Sequence, residues 1–183
     1  MGEFFNKDQL KSNVSKVITY PVPLSILQVN KNINIKTDNF SQTSKRQIIT
    51  KAFNFHLKGN ISEAAKYYQY CIEKGFNDYR VFSNYGSILK DQGKLEVAES
   101  LLRKSIELKS DFAENFSNLG NILKDQGKLE EAELSLRKAI ELKPNFAIGQ
   151  FNLGTILIHL GKLKEAEIAT RKAIELKPDL AMA

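Results

Sequence analysis

The chain has 183 residues, a net charge of +6 and a single cysteine, Cys71. One cysteine excludes an internal disulfide scaffold, and no apolar stretch is long enough to cross a bilayer. The N-terminus carries no recognisable secretory signal, so the expected compartment is the cytoplasm.

Residues 1–44 do not repeat and are rich in Asn, Lys and Ser. The exception is the apolar run Val17–Val29, in which Pro21 and Pro23 disfavour a helix and favour extended backbone. This N-terminal segment is expected either to be partly disordered or to cap the apolar face of the first repeat. The cap is the favoured interpretation, because terminal repeats need one to stay soluble.

From residue 45 onward the sequence repeats itself at a constant period. The segment KDQGKLE occurs at Lys90–Glu96 and again at Lys124–Glu130. Four evenly spaced glycines mark the period: Gly59, Gly93, Gly127 and Gly161. The spacing predicts four units, 45–78, 79–112, 113–146 and 147–180, with 181–183 as the start of a truncated fifth unit.

Each unit predicts two helices. In the third unit Phe116, Leu119 and Leu123 recur at helical spacing, and this first helix is expected to end at Gly127. A second helix is predicted over 129–142, with an acidic start and a basic end that suit the helix dipole. Small residues recur where the two helices must cross. They are Ala52, Gly86, Gly120 and Gly154 in the first helix, Ala64, Ala98, Ala132 and Ala166 in the second, and a third column of Cys71, Ser105, Ala139 and Ala173.

The run Asn118-Leu119-Gly120, followed by Ala132, Ala139 and Pro144, resembles the tetratricopeptide repeat position by position. The first and second units depart from that pattern, with Phe76 and Ser110 where proline is expected, and the fourth has Gln150 in place of an aromatic residue. The resemblance implies an all-α protein, a right-handed superhelical α-solenoid of helix-turn-helix units.

In that family the first helix of each unit lines a concave groove that binds a peptide or protein. The resemblance carries this role to the groove residues of this chain. They are Arg80, Asn84, Ser87 and Lys90 in the second unit, Asn118, Asn121 and Lys124 in the third, and Phe151, Asn152, Thr155 and Ile158 in the fourth.

The column Asn84, Asn118 and Asn152 resembles the asparagine ladder of the O-linked N-acetylglucosamine transferase family, which binds substrate backbones. A carboxamide both donates and accepts, so it can pair with a peptide N–H and C=O together. The alternative is that these asparagines bond within the repeats and support them.

Two further groove features carry open interpretations. Lys90 and Lys124 align on successive first helices, each followed by an aspartate, and form either a stripe for an acidic partner or a self-neutralised surface. In the fourth unit the groove becomes more apolar, and Phe151 and Ile158 are predicted to be the walls of an anchor pocket.

Nothing in the sequence predicts an enzyme, a cofactor or a metal site. His56 and His159 lie in different units, and packing explains Cys71 in its small-residue column. The second-helix carboxylates are interpreted as a solvated surface neutralised by the basic residues on the same helix. They are Glu96, Glu99, Glu130, Glu131 and Glu133.

The leading functional prediction is a protein–protein interaction module that binds an unknown peptide or protein in the groove. The alternative is a substrate-recruiting arm of a larger glycosyltransferase or sulfotransferase. Strict spacing and mixed groove charge argue against specific nucleic-acid binding. A chaperone-type carboxylate clamp is not expected, because Ile49, Phe53 and Glu114 stand at columns of the clamp. An uncovered apolar face near Ile174 predicts self-association.

Overall fold

The structure, a computed structural model, describes residues 45–179, which form eight α-helices and no β-strand. The predicted all-α class is confirmed. The helices are α1 (Lys45–Leu57), α2 (Ile61–Glu73), α3 (Tyr79–Asp91), α4 (Leu95–Leu108), α5 (Ala113–Asp125), α6 (Leu129–Leu142), α7 (Ala147–His159) and α8 (Leu163–Leu176). The expectations for residues 1–44 and 181–183 fall outside the described residues.

The helices pack as four hairpins, α1 with α2, α3 with α4, α5 with α6 and α7 with α8. The second helix of each hairpin contacts the first helix of the next. The first helices also contact one another, α3 with α5 and α5 with α7. Because the first helices are this close to one another, they form the inner row of a helical solenoid. Their side chains that point away from the second helices therefore line the concave surface of the solenoid.

Glycines set how closely the two helices of a hairpin approach. A Cβ atom at Gly120 would lie 2.8 Å from Cγ of Leu136 and 3.3 Å from the carbonyl oxygen of Ala132. At the same crossing of α3 with α4, a Cβ atom on Gly86 would meet the Leu102 side chain. The small residues therefore lie at helix crossings, as predicted, and allow close packing of backbone on backbone.

Each first helix ends at a glycine in the left-handed conformation. Gly127 has φ 78° and donates its N–H to the Lys124 carbonyl at 2.9 Å. The next residue, Lys128, donates its N–H to the Leu123 carbonyl at 2.8 Å. These two bonds satisfy carbonyl groups that the helix end leaves unpaired, and they reverse the chain into α6.

The core continues from hairpin to hairpin. Tyr68, Leu102 and Leu136 occupy the same position of successive units, and each is fully buried. Thr170 takes this position in the last hairpin. The first hairpin thus carries an aromatic residue where the next two hairpins carry leucine.

The second helices of the last three hairpins, α4, α6 and α8, are joined by a set of ion pairs, called here the ion-pair ladder. Glu99 on α4 accepts hydrogen bonds from Arg103 of the same helix at 2.8 Å and from Lys128 at 2.9 Å. Arg103 also reaches Glu131 on α6 at 3.3 Å. Each joint therefore combines two carboxylates with two cations drawn from both hairpins.

The ladder repeats at the next joint with the same residue types. Glu133 on α6 accepts from Arg137 at 2.9 Å and from Lys162 at 2.6 Å. Arg137 in turn donates to Glu165 on α8. The ladder residues of the two joints are separated by one repeat period, so the same chemistry joins the second, third and fourth units.

This arrangement corrects the interpretation of Glu99 and Glu133 as solvated side chains paired only within their own helix. Glu133 is buried, and each of the two takes a lysine from the following hairpin. Burial alone raises the pKa of Glu133, but the bonds from Lys162 and Arg137 outweigh it and hold that pKa below its usual 4.5. The remaining carboxylates of that group, Glu96, Glu130 and Glu131, are exposed as predicted.

None of the helices in residues 45–179 combines the length and the apolar character that crossing a membrane requires.

Candidate functional site

The predicted groove residues all lie on the first helices α3, α5 and α7. Most are half-buried, and Arg80, Phe151 and Ile158 are exposed. They therefore lie along the inner row of helices. Several of them are paired within the fold.

The charged residues in the middle of the groove pair with one another. Lys90 lies 3.2 Å from a carboxylate oxygen of Asp91, and Lys124 lies 3.5 Å from that of Asp125. Such exposed pairs contribute little to stability. They also neutralise the lysine column, which matches the self-neutralised alternative more closely than a stripe for an acidic partner.

Glu114 forms a similar pair with a residue from the end of its own hairpin. Its carboxylate accepts a hydrogen bond from Lys143 at 2.7 Å. Burial acts to raise the pKa of Glu114, but the bond from Lys143 lowers it overall. The middle of the groove is therefore polar with its charges balanced.

Arg80 is held in place before any partner arrives. Its guanidinium donates to both carboxylate oxygens of Asp78, at 3.0 and 2.7 Å, and stacks 4.9 Å from the centre of the Phe53 ring. Burial would raise the pKa of Asp78, but the bonds from Arg80 lower it. The guanidinium of Arg80 thus faces the groove with its charge neutralised and its orientation fixed.

The asparagine column is only partly engaged within the fold. The amide of Asn84 donates to the Tyr68 hydroxyl at 3.2 Å, and that of Asn152 donates to the Ser117 hydroxyl at 3.3 Å. Both bonds cross from one hairpin to the preceding one, so these two asparagines support stacking. Within residues 45–179 the Asn118 carboxamide forms no such bond, which leaves it open to the groove.

The hydroxyl groups of the groove turn back onto their own helices. Ser87 donates to the carbonyl of Ser83 at 3.2 Å, and Thr155 donates to the carbonyl of Phe151 at 3.2 Å. Their oxygen atoms still have lone pairs for an incoming donor. Asn121, one turn from Ser117 on α5, is half-buried.

The first helix of the fourth hairpin, α7, presents apolar side chains to the groove. Ile148, Phe151 and Ile158 are all exposed on it. In the hairpin before it, the positions equivalent to Ile148 and Ile158 carry Glu114 and Lys124. The concave surface of α7 is therefore an apolar patch at one end of a polar groove.

A cavity of about 480 Å³ opens at the other end of the groove, where the first two hairpins meet. Sequence reasoning did not find it. Its walls are mostly apolar and aromatic, with polar groups on one side. The lining residues are Phe53, His56, Leu57, Tyr68, Tyr79, Arg80, Ser83, Asn84 and Phe112. This group is called here the aromatic cavity.

The polar side of the aromatic cavity is formed by side chains that are hydrogen-bonded to one another. The Tyr68 hydroxyl accepts from Asn84 and lies 3.1 Å from Nδ1 of His56. The Tyr68 hydroxyl donates to His56 Nδ1 or accepts from it according to the His56 tautomer. Burial is the main cause that raises the pKa of Tyr68 to about 12, so its hydroxyl stays protonated at neutral pH.

Neither a metal-binding cluster nor an accessible thiol occurs in the described part of the chain. In residues 45–179 no cluster of His, Cys, Asp and Glu is placed to hold a metal ion. Cys71 is fully buried, and burial is the main cause that raises the pKa of its thiol to about 12. A thiol with this pKa is a poor nucleophile.

Comparisons with known proteins agree with this architecture. Models described as tetratricopeptide repeat match residues 79–112 and 147–180, and one described as TPR repeat matches residues 120–161. The chain therefore contains tetratricopeptide repeats. No protein among the curated ones matches it.

Solved structures share the fold at low sequence identity. MamA from Desulfovibrio magneticus RS-1 is 16% identical with a TM-score of 0.68, over 76% of this chain and 78% of that one. YrrB, described as a TPR protein with an unusual peptide-binding site, is 21% identical with a TM-score of 0.66, over 74% and 70%. The second TPR of Spaghetti (RPAP3), bound to the HSP90 peptide SRMEEVD, is 25% identical with a TM-score of 0.53, over 54% and 92%.

Proposed function

We propose that this tetratricopeptide-repeat chain is a protein-interaction module that binds an extended segment of a partner protein in its concave groove. The observation that carries the proposal is the aromatic cavity, which opens into the groove beside the asparagine column. A concave, mostly apolar site with a few fixed polar groups is the usual form of a binding site.

The cavity suits an uncharged apolar or aromatic side chain. Phe53, Tyr79 and Phe112 supply aromatic walls, and aromatic pairs are stabilised by edge-to-face contact as well as by burial. The one cation at the rim, Arg80, is already neutralised by Asp78. An acidic anchor would therefore gain little charge attraction there, and a desolvated carboxylate would lose its hydration.

Asn118 supplies the second element of the proposed site. Its carboxamide lies one hairpin beyond Asn84 and is not engaged within the described fold, so it is suited to pair with a peptide N–H and C=O. Asn84 and Asn152 keep their carbonyl oxygens for the same purpose, although their amide groups support stacking. We propose the other predicted groove residues, Ser87, Lys90, Asn121, Lys124 and Thr155, as the polar walls between.

The apolar patch on α7 is a second contact region for the partner in this proposal. Phe151 and Ile158 are exposed side chains there. The main anchor is assigned to the aromatic cavity instead, because its residues line an open recess from several sides while the α7 side chains stand on a single helix surface. A bound segment would thus contact apolar groups at both ends and polar groups between them.

The peptide-binding description of YrrB and the bound peptide of Spaghetti support a peptide as the partner class. The alternative of a recruiting arm for a glycosyltransferase or sulfotransferase gains no support from these comparisons. The likeness to the repeats of the O-linked N-acetylglucosamine transferase family and the cytoplasmic compartment stay predictions. We further propose that the chain self-associates through the outer face of α8.

Selection from a random peptide display library on the full chain tests the groove, followed by calorimetric titration of a selected peptide. We expect the selected peptides to share an apolar or aromatic residue. Leu57 lines the cavity yet is 86% exposed, so Leu57→Gln removes apolar wall without disturbing the core. It is expected to raise Kd roughly fivefold or more.

The matched control is Leu134→Gln, which changes a 68% exposed leucine on α6, outside the groove. The control is expected to leave Kd unchanged. If no peptide is enriched, or if both variants bind the selected peptide as the parent does, the cavity is not the anchor site.

A further inference from the structure

The last helix, α8, carries one half of the ion-pair ladder. Glu167 and Arg171 stand where Glu133 and Arg137 stand on α6. Arg171 donates to Glu167 at 3.0 and 2.8 Å, so the pair within the helix is formed. At the α4–α6 and α6–α8 joints the following hairpin adds a lysine and a glutamate, and no hairpin follows α8 within residues 45–179.

Apolar side chains on the same face of α8 are also left uncovered. Leu163 is 65% exposed, whereas its equivalent Leu129 is half-buried against the core. Ile174 is exposed, whereas its equivalent Ile140 packs against the core. The outer face of α8 thus combines exposed hydrophobic residues with an incomplete ion-pair set, as an interface does before its partner binds.

The charges along this face differ from those of the inner second helices. Lys164, Glu167, Arg171 and Glu175 follow one another at three- and four-residue spacing and share one face of α8, so basic and acidic groups alternate. On α6 the same positions carry Glu130, Glu133, Arg137 and Glu141, and on α4 Glu96, Glu99, Arg103 and Glu107. Of these three helices only α8 has a lysine at the first position, and that lysine makes the pattern self-complementary.

We propose that a second copy of this chain covers the outer face of α8, with the two α8 helices antiparallel about a two-fold axis. In that arrangement Arg171 of one copy meets Glu167 of the other, and Lys164 meets Glu175. A parallel arrangement would set like charges opposite one another, which is unfavourable. A two-fold contact uses the same patch twice, so one self-complementary helix face is sufficient.

This inference rests on the proposed self-association and adds its geometry; it is independent of peptide binding in the groove. The first test is sedimentation velocity of the full chain over a range of concentrations. A dimer is expected to form as concentration rises. A monomer at every concentration would overturn both the self-association and its geometry.

Two charge reversals test the pairing itself. Arg171→Glu and Glu167→Arg each set like charges opposite one another, and each is expected to raise the dimer Kd roughly tenfold or more. An equimolar mixture of the two variants restores opposite charges at every pair, so a heterodimer is expected. A mixture that stays monomeric would overturn the antiparallel geometry.

Lys138→Glu is the matched control, since it reverses one charge on α6 away from this face. It is expected to leave the dimer Kd unchanged. Both ladder residues on α8 are exposed, so each variant is expected to keep its helix content and thermal midpoint by circular dichroism. Dimerisation that is equally strong in the parent, in Arg171→Glu and in Glu167→Arg would assign self-association to another surface.

Discussion

The two sides of the solenoid use the repeat in opposite ways. On the side of the second helices, the same ladder residues recur from the second unit onward and make the same bonds at the α4–α6 and α6–α8 joints. On the concave side, one position carries Arg80, Glu114 and Ile148 in successive units. The recurring ladder positions hold the hairpins together, whereas the changing positions give each unit a different groove surface.

Removal of a fully buried core residue should have the largest effect on stability. Leu136 is fully buried between α5 and α6, and Leu136→Ala is expected to lower the free energy of unfolding by about 2–5 kcal/mol. Leu134→Ala, a nearby and largely exposed position on the same helix, is expected to cost less than about 0.5 kcal/mol. Urea denaturation followed by circular dichroism measures both, and equal losses would contradict the burial pattern.

Disruption of the ladder should have a smaller effect. Glu133→Gln removes the charge that Arg137 and Lys162 share, and is expected to cost about 1–3 kcal/mol. The control Glu130→Gln changes an exposed carboxylate on the same helix and is expected to be neutral. If Glu133→Gln leaves the free energy of unfolding unchanged, the ladder forms as a result of hairpin stacking and does not stabilise it.

The pH dependence of that difference has a defined sign. The pKa of Glu133 is lower in the fold than its usual 4.5, so the carboxylate stabilises the fold fully above that pH. The contribution is lost as the pH falls through the lowered pKa. The stability gap between the parent and Glu133→Gln should therefore close below pH 4.5, and denaturation at a series of acidic pH values measures it.

The smallest effect on stability is expected on the concave side. Asn118→Ala should change the free energy of unfolding by less than about 0.5 kcal/mol, because its carboxamide is not engaged within the described fold. Binding of a library-selected peptide should weaken by about 1 kcal/mol. Titration calorimetry and urea denaturation on the same preparation separate the two effects. A large stability loss with unchanged binding would assign Asn118 to the fold.

The sequence predicted the fold closely because its signals are local. A glycine at the same place in every unit and apolar residues at helical spacing predict each helix from within its own unit. The second helix of the third unit, predicted over 129–142, is α6 (Leu129–Leu142). The small residues at the crossings were found for the same reason.

The features that were missed depend on contacts between units. The aromatic cavity gathers Phe53, Tyr68, Tyr79 and Phe112 from separate parts of the chain, and no short segment contains that combination. Glu99 and Glu133 resemble solvated residues until the next hairpin brings a lysine to each. The partners of Asn84 and Asn152 likewise belong to preceding hairpins, so the sequence left both roles of the column open.

The two joints of the ion-pair ladder, α4–α6 and α6–α8, use the same residue types. This sameness has a consequence for how a chain of such repeats changes length. A further copy of residues 113–146 placed between the third and fourth units would meet, on both sides, the same carboxylates and cations that already pair there. The groove would lengthen by one step with no new joint chemistry to evolve. The ladder thus allows the number of units, and with it the length of the groove, to change separately from what each unit recognises.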